Sequence, residues 1–518
     1  MSLQIKSASI YRGRITFLVF GTVCASYYFH IVLIMKQFAS RALFPGTAAV
    51  VSIASSGSCP SPDAADFRWY APNSTTINSL PSVINGSGVY GYIFNSSTTP
   101  SSLPYSTYNW CNMAHVRAQE YIVPSSEYEL AYVEIIHRHH KRTPYASNTF
   151  PIEDIPWNCN DEYLYYNGAP TSDNLAAQIG WSVSVSPINP FPQAGFQNSS
   201  CQFPQITAGG LLDSRQHGTD LKSVYIDKLS FLPSSFDENT TKFRVTNNQI
   251  TSQVAGELAI GLYPSLAGKQ LPVIVQPVNL DTLEPQYPCP SATSLYSSYG
   301  VGSTYPAWQA HLNASASLFN TLDTISGVNR SDSGWHNWFD HYFDNLSAKL
   351  CHDKPLPCNI SNPSLCVNES IADDVFRRGL YEYSFIYRDN NNSLNASIAS
   401  FGLWMAEFAN NMRDAMSGIS TVKYRHNVAH DGSLSRLLSI LQIDVMVWPG
   451  MGSEVVFELW KSNLSGCWSL RVLWKGQVLR SSNPSLGNMD MIPVDTFLAY
   501  IDGLVGVNGS KVKGLCST

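Results

Sequence analysis

Residues 129–144 read Glu-Leu-Ala-Tyr-Val-Glu-Ile-Ile-His-Arg-His-His-Lys-Arg-Thr-Pro. The first eight, residues 129–136, are mostly apolar and partly β-branched, which predicts a short buried strand. The strand leads directly into six consecutive His, Arg or Lys residues, 137–142. Pro144 has no amide proton to donate to a strand ladder, so the strand ends before it. A buried strand that ends in so much positive charge predicts a binding loop rather than a solvated turn.

A second segment of the same kind lies near residue 430. Residues 422–429 alternate between apolar and polar side chains, as a half-buried strand does, and lead into His430 and Asp431. Ser433 is expected to cap a helix over residues 434–441. The sequence therefore predicts two strands that each end in a histidine-bearing loop.

The segments around these two strands favour an α/β fold. An apolar spacing close to that of a helix predicts a helix over residues 208–232. A short strand at residues 242–246 precedes a helix that Asn247 or Asn248 caps and that ends at Leu262. The block 265–420 is mostly helical, with candidate helices at 305–323, 334–349, 370–388 and 396–416, and residues 454–460 and 470–474 are expected to form a hairpin.

This alternation predicts a central mixed sheet flanked by helices, with an inserted, mainly helical cap domain. Ligands bind such sheets outside the carboxyl ends of the strands, which is where both histidine-bearing loops are expected. The predicted organisation is a tail (1–14), an apolar segment (15–35), a linker and extended arm (36–110), a first α/β part (111–264), the cap (265–420) and a second α/β part (421–518).

The chemistry of the two loops suits phosphoryl transfer. Residues 138–142 contain two arginines, two histidines and a lysine. Guanidinium groups match phosphate oxygens bidentately, and an imidazole can attack phosphorus to form an intermediate that water later cleaves. The leaving oxygen needs a proton, which Asp431 beside His430 can supply.

Four segments resemble motifs of the histidine acid phosphatases, the family that includes fungal acid phosphatases and phytases. Residues 138–144 resemble the signature R-H-G-x-R-x-P, and His430-Asp431 is similar to the second motif, His-Asp. Residues 243–246 (Phe-Arg-Val-Thr) resemble an R-x-T element, and residues 448–460 resemble a C-terminal strand segment. The four segments occur in the family's order, between about residues 128 and 475.

The resemblance implies an enzyme that hydrolyses phosphate monoesters without a metal or organic cofactor, in an α/β fold with a helical cap. His139 would be the nucleophile, and Asp431 would protonate the leaving group. The phosphate would be bound by Arg138, Arg142, Arg244 and His430. Because an unperturbed Asp has a pKa of about 3.9, a protonated Asp431 predicts an acidic pH optimum.

Departures from the family pattern leave alternatives open. His140 replaces the signature glycine and Lys141 fills the variable position, so both are candidate substrate contacts. No second arginine follows Arg244, since Gln249 and Thr251 stand there. A phytase-like enzyme, or a non-catalytic surface glycoprotein that retains the phosphatase fold, is the alternative to an acid phosphatase.

The histidines also raise the alternative of a zinc site. The cationic side chains in the first loop would repel a metal ion, which favours the phosphatase interpretation. The ligands of such a site would come from His137, His139, His140, His426 and His430, with Asp431 as a further ligand.

Composition points to the secretory pathway. The net charge is −6, and charged residues make up only 14% of the chain, against an average of about 25%, so another group must keep the surface soluble. The acidic balance argues against nucleic-acid binding. Fourteen N-x-[ST] sequons predict N-linked glycans, at Asn73, Asn85, Asn95, Asn198, Asn239, Asn313, Asn329, Asn345, Asn359, Asn368, Asn391, Asn395, Asn463 and Asn508.

Cysteine usage supports the same compartment. Apart from Cys24 in the N-terminal apolar segment, ten cysteines remain, which suits up to five disulfides in an oxidising compartment. No C-x-x-C motif occurs, which disfavours zinc ribbons and thioredoxin-like sites. Cys59 and Cys111 could tether the arm, and the close spacing of residues 351, 358 and 366 suggests a local loop closed by a disulfide.

The N-terminal apolar segment has two interpretations. Residues 15–35 contain no Asp, Glu, Lys or Arg over 21 positions. That length favours a single-pass signal-anchor over a cleaved signal peptide, whose apolar core spans about 7–15 residues. Both interpretations deliver the rest of the chain to the lumen, the cell surface or the exterior.

Overall fold

The computed structural model describes Cys59 and residues 65–161, 164–167, 178–181, 183–191 and 198–517, all of which belong to one unit, Ser56–Thr518. Its strands are β1 (Tyr128–Arg138), β2 (Leu164–Asn167), β3 (Gln178–Trp181), β4 (Thr241–Val245), β5 (Val273–Ile274), β6 (Cys358–Asn359), β7 (Asn362–Cys366), β8 (Tyr424–Ala429), β9 (Glu454–Ser462), β10 (Trp468–Trp474), β11 (Gln477–Val478) and β12 (Ile492–Pro493).

The α-helices are α1 (Leu80–Asn85), α2 (Ala208–Lys222), α3 (Gln249–Leu262), α4 (Pro290–Tyr299), α5 (Pro306–Ala314), α6 (Ala316–Ser326), α7 (Ser333–His336), α8 (Asp340–Leu350), α9 (Glu369–Ser384), α10 (Ser393–Ser417), α11 (Asp431–Ile440), α12 (Val494–Val505) and α13 (Val512–Leu515).

A mixed eight-stranded sheet organises the molecule. Seven strands lie in the order β11-β10-β9-β1-β8-β4-β5, and β12 pairs with β10. β1, β8, β4 and β5 are parallel, whereas β9 runs antiparallel to both β1 and β10. The predicted mixed sheet and the hairpin β9–β10 are therefore confirmed.

The central strand β1 is buried on both faces, which explains its nearly continuous apolar sequence. Val133 and Ile135 pack in a core cluster with residues of α2 and α3. Tyr132 and Ile136 point to the opposite face and pack in a cluster with residues of α8 to α12. Because side chains alternate along a strand, β1 holds a helical layer on each face of the sheet.

The two histidine-bearing loops meet at one edge of the sheet. β1 and β8 are adjacent and parallel, and their register pairs His137 with Val428 and Arg138 with Ala429. Both strands therefore end at the same level. The loop after β1 and the start of α11 lie side by side as a result, at the carboxyl edge where ligands are expected.

The predicted helices are present, with different boundaries. Asn248 caps α3, its side chain accepting a hydrogen bond from the amide of Ile250. The predicted cap at Ser433 is wrong, because α11 begins at Asp431 and the N-cap residue is His430. Within block 265–420, β5 pairs with β4 and α10 packs against α11 and α12, so part of this block supports the sheet. The domain boundaries stay predictions.

All ten cysteines of the described region form disulfides. The pairs are Cys59–Cys467, Cys111–Cys351, Cys159–Cys201, Cys289–Cys516 and Cys358–Cys366. The first two confirm the predicted tethers of the arm, and the last closes the predicted local loop. The described part of the arm also contributes to the core, since Phe94, Tyr108 and Trp110 are buried.

The surface can accommodate most of the predicted glycans. Twelve of the fourteen sequon asparagines are exposed. Asn359 is half-buried. Asn345 on α8 is fully buried, and its amide donates to the carbonyl of Asn148 and to Glu153. Within the described residues, no helix is both long enough and apolar enough to cross a membrane. The apolar segment 15–35 lies outside those residues.

Candidate active site

The loop after β1 is fixed by backbone hydrogen bonds on both sides. The amide of His139 donates to the carbonyl of Ala429 at the end of β8, at 3.0 Å. The carbonyl of His139 accepts from the amide of Gly452, at 3.1 Å. Gly452 has φ +69°, a conformation that glycine adopts without strain. These bonds hold the backbone of residue 139 between two strand ends.

The imidazole of His139 has a defined tautomer. Its Nδ1 lies 2.9 Å from the carbonyl oxygen of His140, so Nδ1 carries the proton and donates it. Nε2 therefore holds the lone pair, and no residue in the described part of the chain bonds to it. Burial, with Arg142, Arg138 and His430 nearby, holds the pKa of His139 well below its ordinary value. The ring is a neutral base even at acidic pH.

The side chain of Arg138, the last residue of β1, is held by several contacts. Its Nη1 donates to the carbonyl of Pro449 at 2.6 Å, and its Nη2 lies 3.1 Å from Oδ2 of Asp431. The guanidinium carbon lies 4.7 Å from the ring centroid of Trp110, which permits a cation–π contact. Arg138 is 1% exposed, and its Nε has no protein partner.

The side chain of Arg142 is also held by hydrogen bonds. Its Nη1 donates to Oδ1 of Asp344 and to the carbonyl of Thr143, both at 2.9 Å. Burial opposes the charge on Arg142, but Asp344 and Tyr145 raise its pKa above the ordinary value, so the side chain stays cationic. Its Nε is also buried without a protein partner. Guanidinium donors match anionic oxygens, so both loop arginines can contribute to an anion site.

The second loop contributes His430 and Asp431. The rings of His430 and His139 lie 5.4 Å apart, and Nε2 of His430 lies 2.9 Å from Oγ1 of Thr246. Both residues stand at the N-terminus of α11, where helix amides favour negative charge. The structure therefore brings His139, Arg138, Arg142, His430 and Asp431 together.

The carboxylate of Asp431 is held by neighbours that favour its ionised form. Trp448 Nε1 donates to Oδ2 at 2.8 Å, and the amide of Gly432 donates to Oδ1, also at 2.8 Å. Burial alone would raise the pKa of Asp431, but Arg138, Trp448 and His430 hold it below the ordinary value. An Asp431 that is protonated before substrate binds, which the sequence led us to expect, does not fit this arrangement.

Arg244 is directed to other partners. It lies on β4, with Nη1 2.8 Å from Oε2 of Glu407 and Nη2 3.1 Å from Oδ1 of Asp281 and 2.8 Å from Oγ1 of Thr282. In the described residues, no contact joins it to His139 or to either loop arginine. The contacts of this guanidinium go to Asp281, Thr282 and Glu407 and not to the cluster, so the structure does not join Arg244 to it.

The two candidate substrate contacts also have protein partners. His140 is fully buried, and its Nε2 lies 3.3 Å from Nδ1 of His217 on α2. Lys141 forms an ion pair with Asp213, at 3.2 Å, and donates to Ser97. Neither side chain contacts His139 by a bond in the described region, although the backbone carbonyl of His140 fixes its tautomer.

Sequence analysis missed the groups that orient the cluster. Asp344 on α8 holds Arg142, Trp448 and Tyr383 contact Asp431, and Trp110 lies under Arg138. The rings of Trp448 and Tyr383 stack with centroids 3.8 Å apart, and the polar group of each donates to Oδ2 of Asp431. Trp448 lies in a segment that resembled the family, but nothing in the local sequence marked Asp344, Tyr383 or Trp110.

Known proteins that are similar to this chain include phosphatases. Counting factor 60 of Dictyostelium discoideum is 26% identical over 388 residues, covering 71% of this chain and 84% of that protein. Human 2-phosphoxylose phosphatase 1 is 23% identical over 394 residues, covering 72% and 76%. The crystal structure of a Hafnia alvei phytase in complex with tartrate superposes with a TM-score of 0.49 at 13% identity, covering 74% of this chain and 99% of the phytase.

A family model provides the assignment. The model for the histidine phosphatase superfamily, branch 2, matches residues 129–475. This range begins within β1 and ends just after β10, so it includes both histidine-bearing loops and the strands that position them. Its extent over most of the chain shows that this protein belongs to the histidine phosphatase superfamily, branch 2.

Proposed function

We propose that this chain hydrolyses phosphate monoesters and that His139 is the nucleophile. The observation that carries the proposal is the His139 ring itself. Its Nδ1 is committed to a backbone carbonyl, its Nε2 is left with a lone pair, and the buried Arg138 and Arg142 are close enough to lower its pKa. A neutral imidazole beside two guanidinium groups can attack a phosphate ester whose oxygens those groups bind.

In the first half-reaction, Nε2 of His139 attacks phosphorus and the bond from phosphorus to the ester oxygen breaks. The phosphoryl oxygens take hydrogen bonds from Arg138, Arg142 and His430, which would balance the charge that these oxygens carry in the transition state. The alcohol leaves with a proton, and His139 becomes a phosphohistidine.

The proton for the leaving oxygen comes with the substrate. Because the pKa of Asp431 is lowered, this carboxylate is ionised when a monoester arrives. A monoester that carries one proton on its phosphate can pass that proton to Asp431 and then to the leaving oxygen, since the second phosphate pKa is about 6. Asp431 then acts as a relay.

In the second half-reaction, a water molecule attacks the phosphohistidine and the bond between phosphorus and nitrogen breaks. Asp431, again a carboxylate, accepts a proton from the attacking water. Asp431 passes this proton to inorganic phosphate, which leaves as the monoanion, so the carboxylate of Asp431 and the neutral imidazole of His139 are both restored. The contact between Nδ1 of His139 and the carbonyl of His140 can persist throughout, because only Nε2 reacts.

Trapping the intermediate tests the proposal. The full chain is mixed with a ³²P-labelled aryl phosphate and quenched, and the label is characterised by its stability. Phosphohistidine survives alkali and is lost in acid. We expect an alkali-stable label on the native chain, and we expect His139→Asn to abolish both the label and turnover, lowering kcat by about a thousandfold or more.

A matched histidine variant controls for general disruption. His336 on α7 contacts Asp323, away from both loops. We expect His336→Gln to label and turn over like the native chain. A label that survives in His139→Asn, or turnover by the native chain without any alkali-stable label, would contradict the proposed nucleophile.

The two alternatives make different predictions in the same assay. Lys141 was the support for a phytase-like site, but its charge is matched by Asp213. A preference for inositol hexakisphosphate over simple monoesters would favour that alternative. A non-catalytic protein would bind phosphate without release of alcohol. The name of the human relative makes a pentose phosphate ester a useful further substrate to test.

The disulfides and the sequons support a compartment for this enzyme. Five disulfides are typical of an oxidising compartment, and twelve exposed sequons could carry glycans. We place the enzyme in the lumen of the secretory pathway or outside the cell. Treatment of the secreted protein with an N-glycosidase should increase its mobility on a denaturing gel, whereas no shift would contradict glycosylation.

A further inference from the structure

A cluster of buried histidines lies behind the phosphate-binding loop. His137 at the end of β1, His140 in the loop and His217 on α2 are all fully buried. Each can offer a ring nitrogen, and the three nitrogens lie within 4.8 Å of one another. The cluster is separate from His139 and His430, which carry the proposed phosphatase chemistry.

The hydrogen bonds of the three rings decide which nitrogens are available. Nε2 of His217 donates to the buried carboxylate of Glu454 at 2.9 Å, so its Nδ1 carries a lone pair. Nε2 of His140 lies 3.3 Å from that Nδ1 and carries the proton of this pair, which would move to the unpartnered Nδ1 of His140 when an ion binds. Nδ1 of His137 lies 3.1 Å from Nε2 of His426, which leaves Nε2 of His137 buried without a partner.

These distances approach those of a tetrahedral metal site. Two nitrogens bound to the same zinc ion at about 2.0–2.1 Å lie roughly 3.3 Å apart, which is the separation between His140 and His217. Closing the largest separation in the cluster, at most 4.8 Å, to that distance would require a shift of about 1.5 Å. The contact of Glu454 to His217 is one that metal-bound histidines usually make through their second nitrogen, and the second nitrogen of His137 has His426 as its partner.

We propose that His137, His140 and His217 bind one divalent zinc ion that fixes the phosphate-binding loop to α2. Imidazole is a preferred zinc ligand, whereas thiolates are not available because every cysteine in the described region is in a disulfide. Glu454 accepts a hydrogen bond from Nε2 of His217, the ring nitrogen opposite the one that would bind the ion.

The cationic side chains of the loop do not oppose this site as strongly as the sequence suggests. Arg138 is paired with Asp431, Lys141 with Asp213 and Arg142 with Asp344. Each charge therefore has its own carboxylate. The zinc alternative considered from the sequence included His139 and His430, but these rings face the proposed phosphate pocket, and His217 on α2 was not part of that set.

The ion gives a reason for a bulky residue next to the nucleophile. The carbonyl of His140 accepts the proton of His139 Nδ1, while its ring reaches α2. A metal bound to that ring would hold the carbonyl in place. This inference does not depend on the proposed reaction, because a non-catalytic protein with the same fold would bind the same ion.

Metal content tests the proposal directly. The full chain is secreted from a eukaryotic host in zinc-containing medium, purified, and analysed by plasma mass spectrometry. We expect about one zinc per chain in the native protein and a loss of about tenfold in His217→Gln. His140→Gly, which restores the signature glycine, should lose the ion as well. X-ray absorption at the zinc edge should show imidazole nitrogens at about 2.0–2.1 Å.

The chain contains a matched control for loss of a buried histidine. Nε2 of His311 lies 2.8 Å from Glu382, and both residues are fully buried, as in the pair of His217 and Glu454. We expect His311→Gln to retain the native zinc content. If His217→Gln retains it too, or if the native protein contains no zinc, the proposal is wrong.

A second measurement covers the case in which His217→Gln does not fold. Urea unfolding of the native protein is followed with excess zinc and with excess chelator. An ion that binds only the folded state raises the unfolding midpoint. We expect a higher midpoint in zinc for the native chain and for His311→Gln. Equal midpoints for the native protein would overturn the proposal.

Discussion

At the scale of single residues, the proposed site depends on opposite protonation states in adjacent groups. Burial and nearby cations keep His139 neutral, and Arg138 with Trp448 keeps Asp431 ionised. Both shifts have the same direction, towards lower pKa, but they have opposite effects on charge. The imidazole is ready to attack at acidic pH, whereas the carboxylate must obtain a proton before it can donate one.

The pH dependence of kcat/KM should therefore follow the substrate. Since the pKa of His139 lies well below about 6.5, activity persists into the acidic range. On the alkaline side, activity falls as the monoanionic ester loses its proton, at a pH of about 6. We expect this limb to move when esters with different phosphate pKa values are compared. A fixed limb near or below pH 4 would instead indicate a resident proton on Asp431.

Asp344 offers a second prediction at this scale. It is the carboxylate that matches the buried charge of Arg142. Removing one partner of a buried pair typically costs about 3–5 kcal/mol, so Asp344→Asn should lower the free energy of unfolding by that order. Inorganic phosphate should restore part of the loss, because it would supply the missing negative charge. Thermal unfolding with and without phosphate measures both effects.

An exposed pair provides the comparison for Asp344. Asp227 bonds to Lys222 at the surface, and Asp227→Asn should change the free energy of unfolding by about 0.5 kcal/mol or less. If phosphate does not raise the midpoint of Asp344→Asn, Arg142 does not bind the anion.

At the scale of secondary-structure elements, Arg244 links β4 to α10 and to the segment containing Asp281. Glu407 on α10 and the buried Asp281 both bond to its guanidinium. The sequence element that resembled a phosphate-binding motif thus forms a structural junction. Thr246, in the same element, does reach the site, because its hydroxyl lies 2.9 Å from Nε2 of His430.

This assignment predicts a separation between stability and binding. Arg244→Met leaves Asp281 buried without its cation, so we expect the melting temperature to fall while KM and inhibition by phosphate stay near native values. Arg142→Met should instead weaken phosphate inhibition about tenfold or more. A comparable rise in KM for Arg244→Met would return Arg244 to the phosphate site.

Elements defined by local sequence were predictable, and contacts between distant elements were not. The apolar run of β1, the Asn248 cap of α3 and the hairpin β9–β10 follow from patterns within a few residues of each other. The loop residues 138, 139, 142, 430 and 431 come together because β1 and β8 are neighbours, which the alternating pattern suggested. The partners of Arg244 and Arg142 come from α10 and α8, and no spacing in the sequence connects them.

At the scale of the whole molecule, three disulfides connect parts of the chain that are far apart in sequence. Their separations are 408, 240 and 227 residues, for Cys59–Cys467, Cys111–Cys351 and Cys289–Cys516. Each joins the N-terminal arm or the C-terminus to the remainder of the unit. Cross-links of this length restrict the unfolded chain most strongly.

Removal of two different disulfides should have unequal effects. Loop-closure entropy assigns at most about 5.5 kcal/mol to a 240-residue loop and about 2.5 kcal/mol to one of eight residues, the separation of Cys358–Cys366. The double variant Cys111→Ala/Cys351→Ala should therefore be the less stable one. It should also lose activity, since Trp110 next to Cys111 supports Arg138. Denaturant titration and kcat/KM are measured for this variant and for Cys358→Ala/Cys366→Ala. Equal losses of stability in the two variants would contradict the prediction.

The position of Trp110 also bears on shortened versions of this protein. The indole that lies against Arg138 belongs to the arm, about twenty residues upstream of the matched family range of 129–475. A fragment cut to that range would lack this ring and would leave lone thiols at Cys289, Cys351 and Cys467. It would also remove Phe94 and Trp110 from the aromatic cluster around Phe343 and Phe376. Any trimmed version intended for assay or crystallisation should therefore start before Cys59.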